Sequence, residues 1–267
     1  DTNPNFNDSP IFIFSAGWRS GSTLLQRLIT SSENILLWGE PYDRCNIVQS
    51  MSDTLLPFSD TWPPRRYIVE NTGFTDFSQE WIANLYPPAN ALIQANRAYF
   101  TKMFAEPALA TGATRWGIKE VRFGKKEALY LKLLYPDARF LFLTRDLSAA
   151  YLSYKSFSSV MNWYTKWPHH RAFTPYSFAK HRANLIKQFQ EVQKETDGLM
   201  IDYSELTSDN PVLDKLDVYC GVKCNRTVLS KKVGSGLKRD ASNVKHTPTL
   251  NWFEKLALYA GNQEIDK

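Results

Sequence analysis

The stretch IFIFSAGWRSGSTLLQRLITS, Ile11 to Ser31, constrains the fold more than any other part of the chain. IFIF is too short and too uniformly apolar to be one face of a helix, so it reads as a strand buried on both sides. After Gly21, the residues Leu24, Leu25, Leu28 and Ile29 recur at helical spacing. Strand, glycine turn and helix in that order make an anion cradle. Ligands of open α/β sheets sit beyond the carboxyl ends of strands, and a helix N-terminus there favours negative charge. The backbone N–H groups of Ser20 to Thr23 are the expected donors, with Gly17 and Gly21 letting the backbone come close. A nucleoside triphosphate loop would carry GK[ST] at the helix start. Here the basic residue is Arg19, two places before Gly21.

The rest of the chain repeats the alternation. ILLW, Ile35 to Trp38, is a second short apolar run. A stretch rich in Pro, Ser and aromatics from Leu56 to Pro88 reads mostly as loops, and Ala89 to Phe104 as helix. WGIKEV is a strand, KKEALYLKLLYP a helix stopped by Pro136, and RFLFLT another doubly buried strand, followed by a helix that Asp146 caps. Ser177 to Lys194 reads as a long amphipathic helix and GLMIDY as a strand. NPVLDKLDVYCG is a helix with Asn210 as N-cap, Pro211 in its first turn and Gly221 at its end. Strands alternating with helices predict an α/β fold: a single domain with a mainly parallel sheet flanked by helices and a P-loop-like anion loop after the first strand. Residues 1–10 read as a loose N-terminal arm and residues 11–267 as the domain, with no repeat or linker.

Composition fits this and excludes little else. The 267 residues are 43% hydrophobic, enough for a sizeable core, and the net charge of +5 suits an anionic ligand without arguing for nucleic acid. Cys45, Cys220 and Cys224 show no CxxC and no paired His spacing, so a zinc site is not expected. Cys220 and Cys224 read as free thiols, or as a pair in an oxidising compartment. No run approaches the roughly 20 apolar residues needed to span a membrane, and no signal peptide is visible. Asn225-Arg226-Thr227 is a glycosylation sequon, meaningful only in a secreted protein.

The loop WRSGST resembles the 5′-phosphosulfate loop of sulfotransferases that use 3′-phosphoadenosine 5′-phosphosulfate (PAPS), and is most similar to their carbohydrate-type members. Three further stretches resemble family segments in the expected order: IKEVR (Ile118 to Arg122), FLFLTRDLSAAYLSY with Arg145 and Ser153, and IDYSEL with Tyr203. The resemblance implies sulfuryl transfer from PAPS to an acceptor hydroxyl on a glycan or small alcohol, releasing the 3′,5′-bisphosphate (PAP) with no metal. It implies that Gly17, Trp18, Arg19, Ser20, Gly21, Ser22 and Thr23 hold the 5′ end, Arg145 and Ser153 the 3′-phosphate, and Tyr203 lies near the adenine. Lys238 and Arg239, in KKVGSGLKRD, stand as a loose counterpart of the cytosolic enzymes' Arg-Lys-Gly loop. Arg19 would act catalytically with Glu40 of WGEPY as general base, and Glu40, Lys119 and Arg122 would meet the acceptor. One of Lys119 and Arg122 would touch the sulfuryl group or acceptor while the other pairs with Glu120 or Glu127. His169 or His170 is an alternative base, and Trp62, Trp163 and Trp167 are core anchors or an acceptor platform. The rival readings are a P-loop-type kinase or hydrolase acting on ATP, and a nucleotide-binding module without catalysis. The compartment expected is the cytoplasm, or the Golgi lumen for a trimmed eukaryotic catalytic domain; the oligomeric state is left open.

Overall fold

The computed structural model of the chain describes residues 8–69, 78, 83, 85–158, 174–207, 211–230 and 249–264. In chain order its first half runs β1 (Ile11–Ser15), α1 (Ser22–Thr30), β2 (Ile35–Gly39), α2 (Ile47–Asp53), α3 (Ala89–Phe100) and α4 (Glu106–Ala110). Then come β3 (Arg115–Glu120), α5 (Lys125–Leu134), β4 (Arg139–Thr144), α6 (Leu147–Ser158) and α7 (Pro175–Thr196). The last elements are β5 (Leu199–Asp202), α8 (Tyr203–Thr207), α9 (Val212–Cys220) and α10 (Trp252–Gln263).

Every residue of β1 is buried, as its unbroken apolar run requires. The strand order β2-β3-β1-β4-β5 puts it at the centre of a five-stranded sheet. All the pairings are parallel, so the five carboxyl ends share one edge. Alternation then sorts the core into two layers. Ile11 and Ile13 pack with Leu25, Leu28 and Ile29 of α1 and Leu216 of α9. Phe12 and Phe14 pack on the opposite face with Leu131 of α5 and Phe189 of α7. Because α1 covers one face and α5 the other, the chain leaves β1 and β3 in opposite directions. That boundary is the switch point at which parallel sheets open a crevice.

The predicted strands and most helices are present, with informative differences. The helix expected from Ala89 runs past Phe104 to Ala110, through a π-helical turn at Thr101–Ala105. Pro107 explains the widening: it lacks an N–H and its ring would strike the carbonyl four residues back. The helix α7 starts at Pro175, two residues before the predicted start, where Thr174 and Ser177 cap each other. Gly221 closes α9 at φ 64°, while Pro211 holds the N-cap position predicted for Asn210, which lies outside the described residues. The sequence reading did not include α10, although Asn251 and Glu254 form a reciprocal capping box at its start. Pro10 is bonded to the sheet: the Arg139 N–H donates to its carbonyl at 2.9 Å.

One position shows how tightly the sheet closes under the site. A Cβ on Gly117 of β3 would lie 2.0 Å from the Ile11 carbonyl oxygen and 2.4 Å from Leu37 Cδ2. Gly117→Ala is therefore expected to destabilise by about 3 kcal/mol or more, at or beyond the usual overpacking range. Urea unfolding checks this; an unchanged midpoint would show that β3 relaxes away from β1.

Candidate active site

Three residues of the loop after β1 take left-handed backbone conformations: Gly17 at φ 78°, Arg19 at φ 66° and Gly21 at φ 95°. The glycines do so freely, whereas a non-glycine residue held there costs of order 1–3 kcal/mol. Two side chains fix the turn from inside. The Ser20 hydroxyl donates to the Ala16 and Gly17 carbonyls at 2.8 and 3.0 Å. The Trp18 indole is buried with Val121, Ala150 and Phe178, its ring 5.6 Å from that of His181. Ser20 and Trp18 thus serve the loop's own shape. Arg19 and Thr23 are exposed. The helix α1 begins after Gly21 with no side-chain cap; the Leu24 N–H donates to the Gly21 carbonyl at 2.9 Å, which leaves the N–H groups of Ser22 and Thr23 for an anion.

Arg19 joins parts of the site that sequence spacing alone leaves apart. Its Nε donates to Ser153 Oγ on α6 at 3.0 Å, and its carbonyl accepts from Arg145 Nη1 at 2.8 Å. The Arg145 guanidinium lies over the Tyr203 ring, 4.3 Å from the centroid. Tyr203 in turn covers Gly21: a Cβ built there would meet its ring at 2.1 Å. Loop, β4, α6 and the β5–α8 junction therefore converge on one spot. Arg145 Nε is buried there with no hydrogen-bond partner. Asp146, beside it, accepts from the Ala149 N–H at 2.8 Å as the N-cap of α6, the role its position predicts.

A second group gathers at the ends of β2 and β3. Glu40 sits at φ 27°, its N–H donating to the Lys119 carbonyl at 2.7 Å, and its carboxylate forms an ion pair with Lys119 Nζ. Arg122 turns away from that pair. Its guanidinium grips Glu120 through Nε at 3.0 Å and Nη2 at 2.7 Å, and Nη1 donates to Asn46 Oδ1 at 3.0 Å. Burial raises the Glu120 carboxyl above its ordinary pKa against the pull of those Arg122 bonds. Of the alternatives left open, Arg122 is the residue paired with Glu120, while Glu127 accepts from the Gly124 N–H at the start of α5.

Lys238, Arg239, His169, His170, Trp163 and Trp167 lie outside the described residues. Trp62 is half-exposed and lines a surface cavity of about 300 Å³ with Phe58, Tyr86 and Pro88. Cys220 and Cys224 are free and buried, and burial pushes the Cys220 thiol up to about 12. Among the described residues no His, Cys, Asp and Glu cluster could hold a metal. The sequence reading passed over Arg182 of α7, which is 5% exposed. Its signal is a charge on the apolar stripe Phe178, Arg182, Leu185, Phe189.

A sequence profile of the sulfotransferase family matches residues 10–223. Among solved structures, a sulfotransferase from Alicyclobacillus acidocaldarius is 16% identical, with 85% of this chain and 87% of that one aligned and a TM-score of 0.42. The sulfotransferase domain of the Synechococcus PCC 7002 olefin synthase is also 16% identical, covering 98% of this chain and 96% of its own at a TM-score of 0.48. A Mycobacterium avium sulfotransferase is 12% identical, over 85% and 67% of the two chains, at 0.43. No curated protein matches the sequence.

The contact between Gly21 and Tyr203 is directly testable. Gly21→Ala adds a left-handed Cβ and a clash with the ring, so it should cost more than the backbone strain alone. Adding Tyr203→Ala should return part of that loss, giving a coupling of about 0.5–3 kcal/mol in a double-mutant cycle. Strict additivity of the two substitutions would separate Tyr203 from the loop.

Proposed function

The chain belongs to the sulfotransferase family, and we propose that it moves a sulfuryl group from PAPS to an acceptor hydroxyl, on a carbohydrate or other alcohol. The observation that carries this reading is the convergence of Arg19, Ser153, Arg145 and Tyr203 on an uncapped helix N-terminus. That set offers what a nucleotide with two separated anionic ends requires. The N–H groups of Ser22 and Thr23 and the Arg19 guanidinium would hold the 5′-phosphosulfate. Arg145, with a donor to spare at Nε, and Ser153 would take the 3′-phosphate. Tyr203 would border the adenine. Lys238 and Arg239 remain in this proposal as additional contacts to the donor.

PAPS supplies the activated sulfuryl group; the chain's own residues align it and hold the charge. As the acceptor oxygen bonds to sulfur, the bond from sulfur to the departing phosphate oxygen breaks, and negative charge grows beside the loop. Fixed N–H donors and Arg19 are suited to that charge, a contribution of roughly 10²–10³ in rate for a single positioned donor. The acceptor's proton goes to Glu40, with Lys119 holding the carboxylate in place. Arg122, held by Glu120 and Asn46, would shape the acceptor side.

Two measurements test this. Adenosine 3′,5′-bisphosphate at 100 times its Kd should stabilise the protein by about 2.7 kcal/mol, roughly 5–10 °C for a domain of this size. ADP with magnesium at the same concentration should do much less. In Arg145→Ala, calorimetry should show bisphosphate affinity falling well beyond the loss for a nucleotide without the 3′-phosphate, which loses only the support Arg145 gives the loop. An equal loss for both would remove Arg145 from the 3′ site.

Glu40→Gln keeps the shape and an acceptor oxygen but cannot take a proton. Donor affinity and folding should survive while kcat falls at least ~10²-fold. A variant that stays active, with turnover lost instead on substitution of His169 or His170, would move the base to those histidines.

A further inference from the structure

A buried cation next to the loop has no role in the chemistry described so far. Arg182 lies on α7, 5% exposed, one turn after Phe178, whose ring packs on Tyr151 and Tyr154 of α6 at 5.3 and 5.0 Å. The ring of His181 beside it packs at a tilt against Trp18 of the anion loop. These contacts set this part of α7 against the loop and the middle of α6, the helix that follows Arg145. Arg182 Nε is buried without a hydrogen-bond partner, as Arg145 Nε is, and among the described residues Arg182 forms no ion pair.

Its surroundings offset the charge through space but give its Nε no acceptor. Burial lowers the guanidinium to about 10; Asp146 and Asp202 pull it back, and Arg145 adds to the drop. Both carboxylates are committed elsewhere. Asp146 caps α6. Asp202 accepts from Ser204 N and Oγ at 2.9 and 2.6 Å and from Thr144 Oγ1 at 3.1 Å. A guanidinium always carries its proton, so two such groups, each with an orphan Nε, are best satisfied by an anion that accepts from both.

We propose that Arg182 is a second anion-binding cation, which together with Arg145 seats a phosphate monoester, the 3′-phosphate of the donor nucleotide. This rests on the donor reading above. Two guanidiniums match a dianion better than one, and they make this end of the nucleotide site selective for a doubly charged group over a hydroxyl. Without ligand the pair is a source of strain; with the phosphate bound, it is satisfied.

The alternative is a structural Arg182 that only balances Asp202, and the two make opposite predictions. Arg182→Met and Arg182→Lys are compared with the unaltered protein by thermal unfolding without ligand. Titration calorimetry then follows with adenosine 3′,5′-bisphosphate and with adenosine 5′-monophosphate. On the proposal, Arg182→Met melts at the same or a higher temperature, because a buried charge whose Nε has no acceptor is gone. Its bisphosphate affinity falls about 10–100-fold and its monophosphate affinity less than about 3-fold, as loss of a charge-assisted bond to one phosphate predicts. Arg182→Lys keeps part of the discrimination. Equal losses for both nucleotides, a lower melting temperature, or failure of both variants to fold would overturn the assignment. If the unaltered protein fails to discriminate the nucleotides, the donor reading itself falls. If it discriminates and Arg182→Met does so equally, only Arg182 falls.

Discussion

The hydrogen bond from Arg145 to the Arg19 carbonyl ties the structure's functional edge together. Arg19 sits in a left-handed conformation that an arginine does not adopt without support. The support comes from several sides. Ser20 closes the turn beneath it, Trp18 anchors it to α6 and α7, and Arg145 holds its carbonyl from the end of β4. With that carbonyl turned toward Arg145, the Arg19 side chain is free to cross to Ser153. Removing the bond would untie the β1 loop from the β4 loop, so a ligand that meets both would no longer find them in register.

Much of this was legible in the sequence, for identifiable reasons. IFIF and RFLFLT are unbroken apolar runs, and such runs in an alternating chain have no stable place except the centre of a covered parallel sheet. The glycines at 17 and 21 and the basic residue at 19 marked the loop. Other features were not readable. Nothing in the spacing of Arg145 and Ser153 brings them to one ligand, since the link runs through Arg19, over a hundred positions earlier in the chain. Tyr203 could be placed after a strand, but not over Gly21, because that contact depends on the order of the strands. Arg182 was hidden because one charge on an amphipathic helix reads as solvated until its face is known. By contrast, α10 was missed even though its capping box is a local signal.

The absence of a lysine in the loop has a physical counterpart in the charges that surround it. A triphosphate loop gathers its phosphates with a lysine and a magnesium ion, and the ion needs free carboxylates at a strand end. Here the carboxylates at the ends of β4 and β5 are engaged: Asp146 in capping α6, Asp202 with Ser204 and Thr144. Among the described residues around the loop, guanidiniums and backbone N–H donors remain, which bind an anion in defined directions. On the proposed reading, these are the groups that meet the sulfuryl donor.

The strand order also divides the labour. Arg19, Arg145, Ser153 and Tyr203 stand on the ends of β1, β4 and β5 or just beyond, while Glu40, Lys119 and Arg122 stand on those of β2 and β3. The line between the two groups is the β1–β3 boundary, where the crossovers leave in opposite directions and the crevice opens. On the proposed reading, donor and acceptor approach from opposite sides of that line, and the sulfuryl group need cross only between neighbouring strand ends. The acceptor side can then change its chemistry through the segments that follow β2 without disturbing the donor side. The ion pair between Glu40 and Lys119 suits that arrangement: β3 is bonded to both β1 and β2. Lys119 therefore fixes the carboxylate relative to the central strand rather than to the chain beyond it.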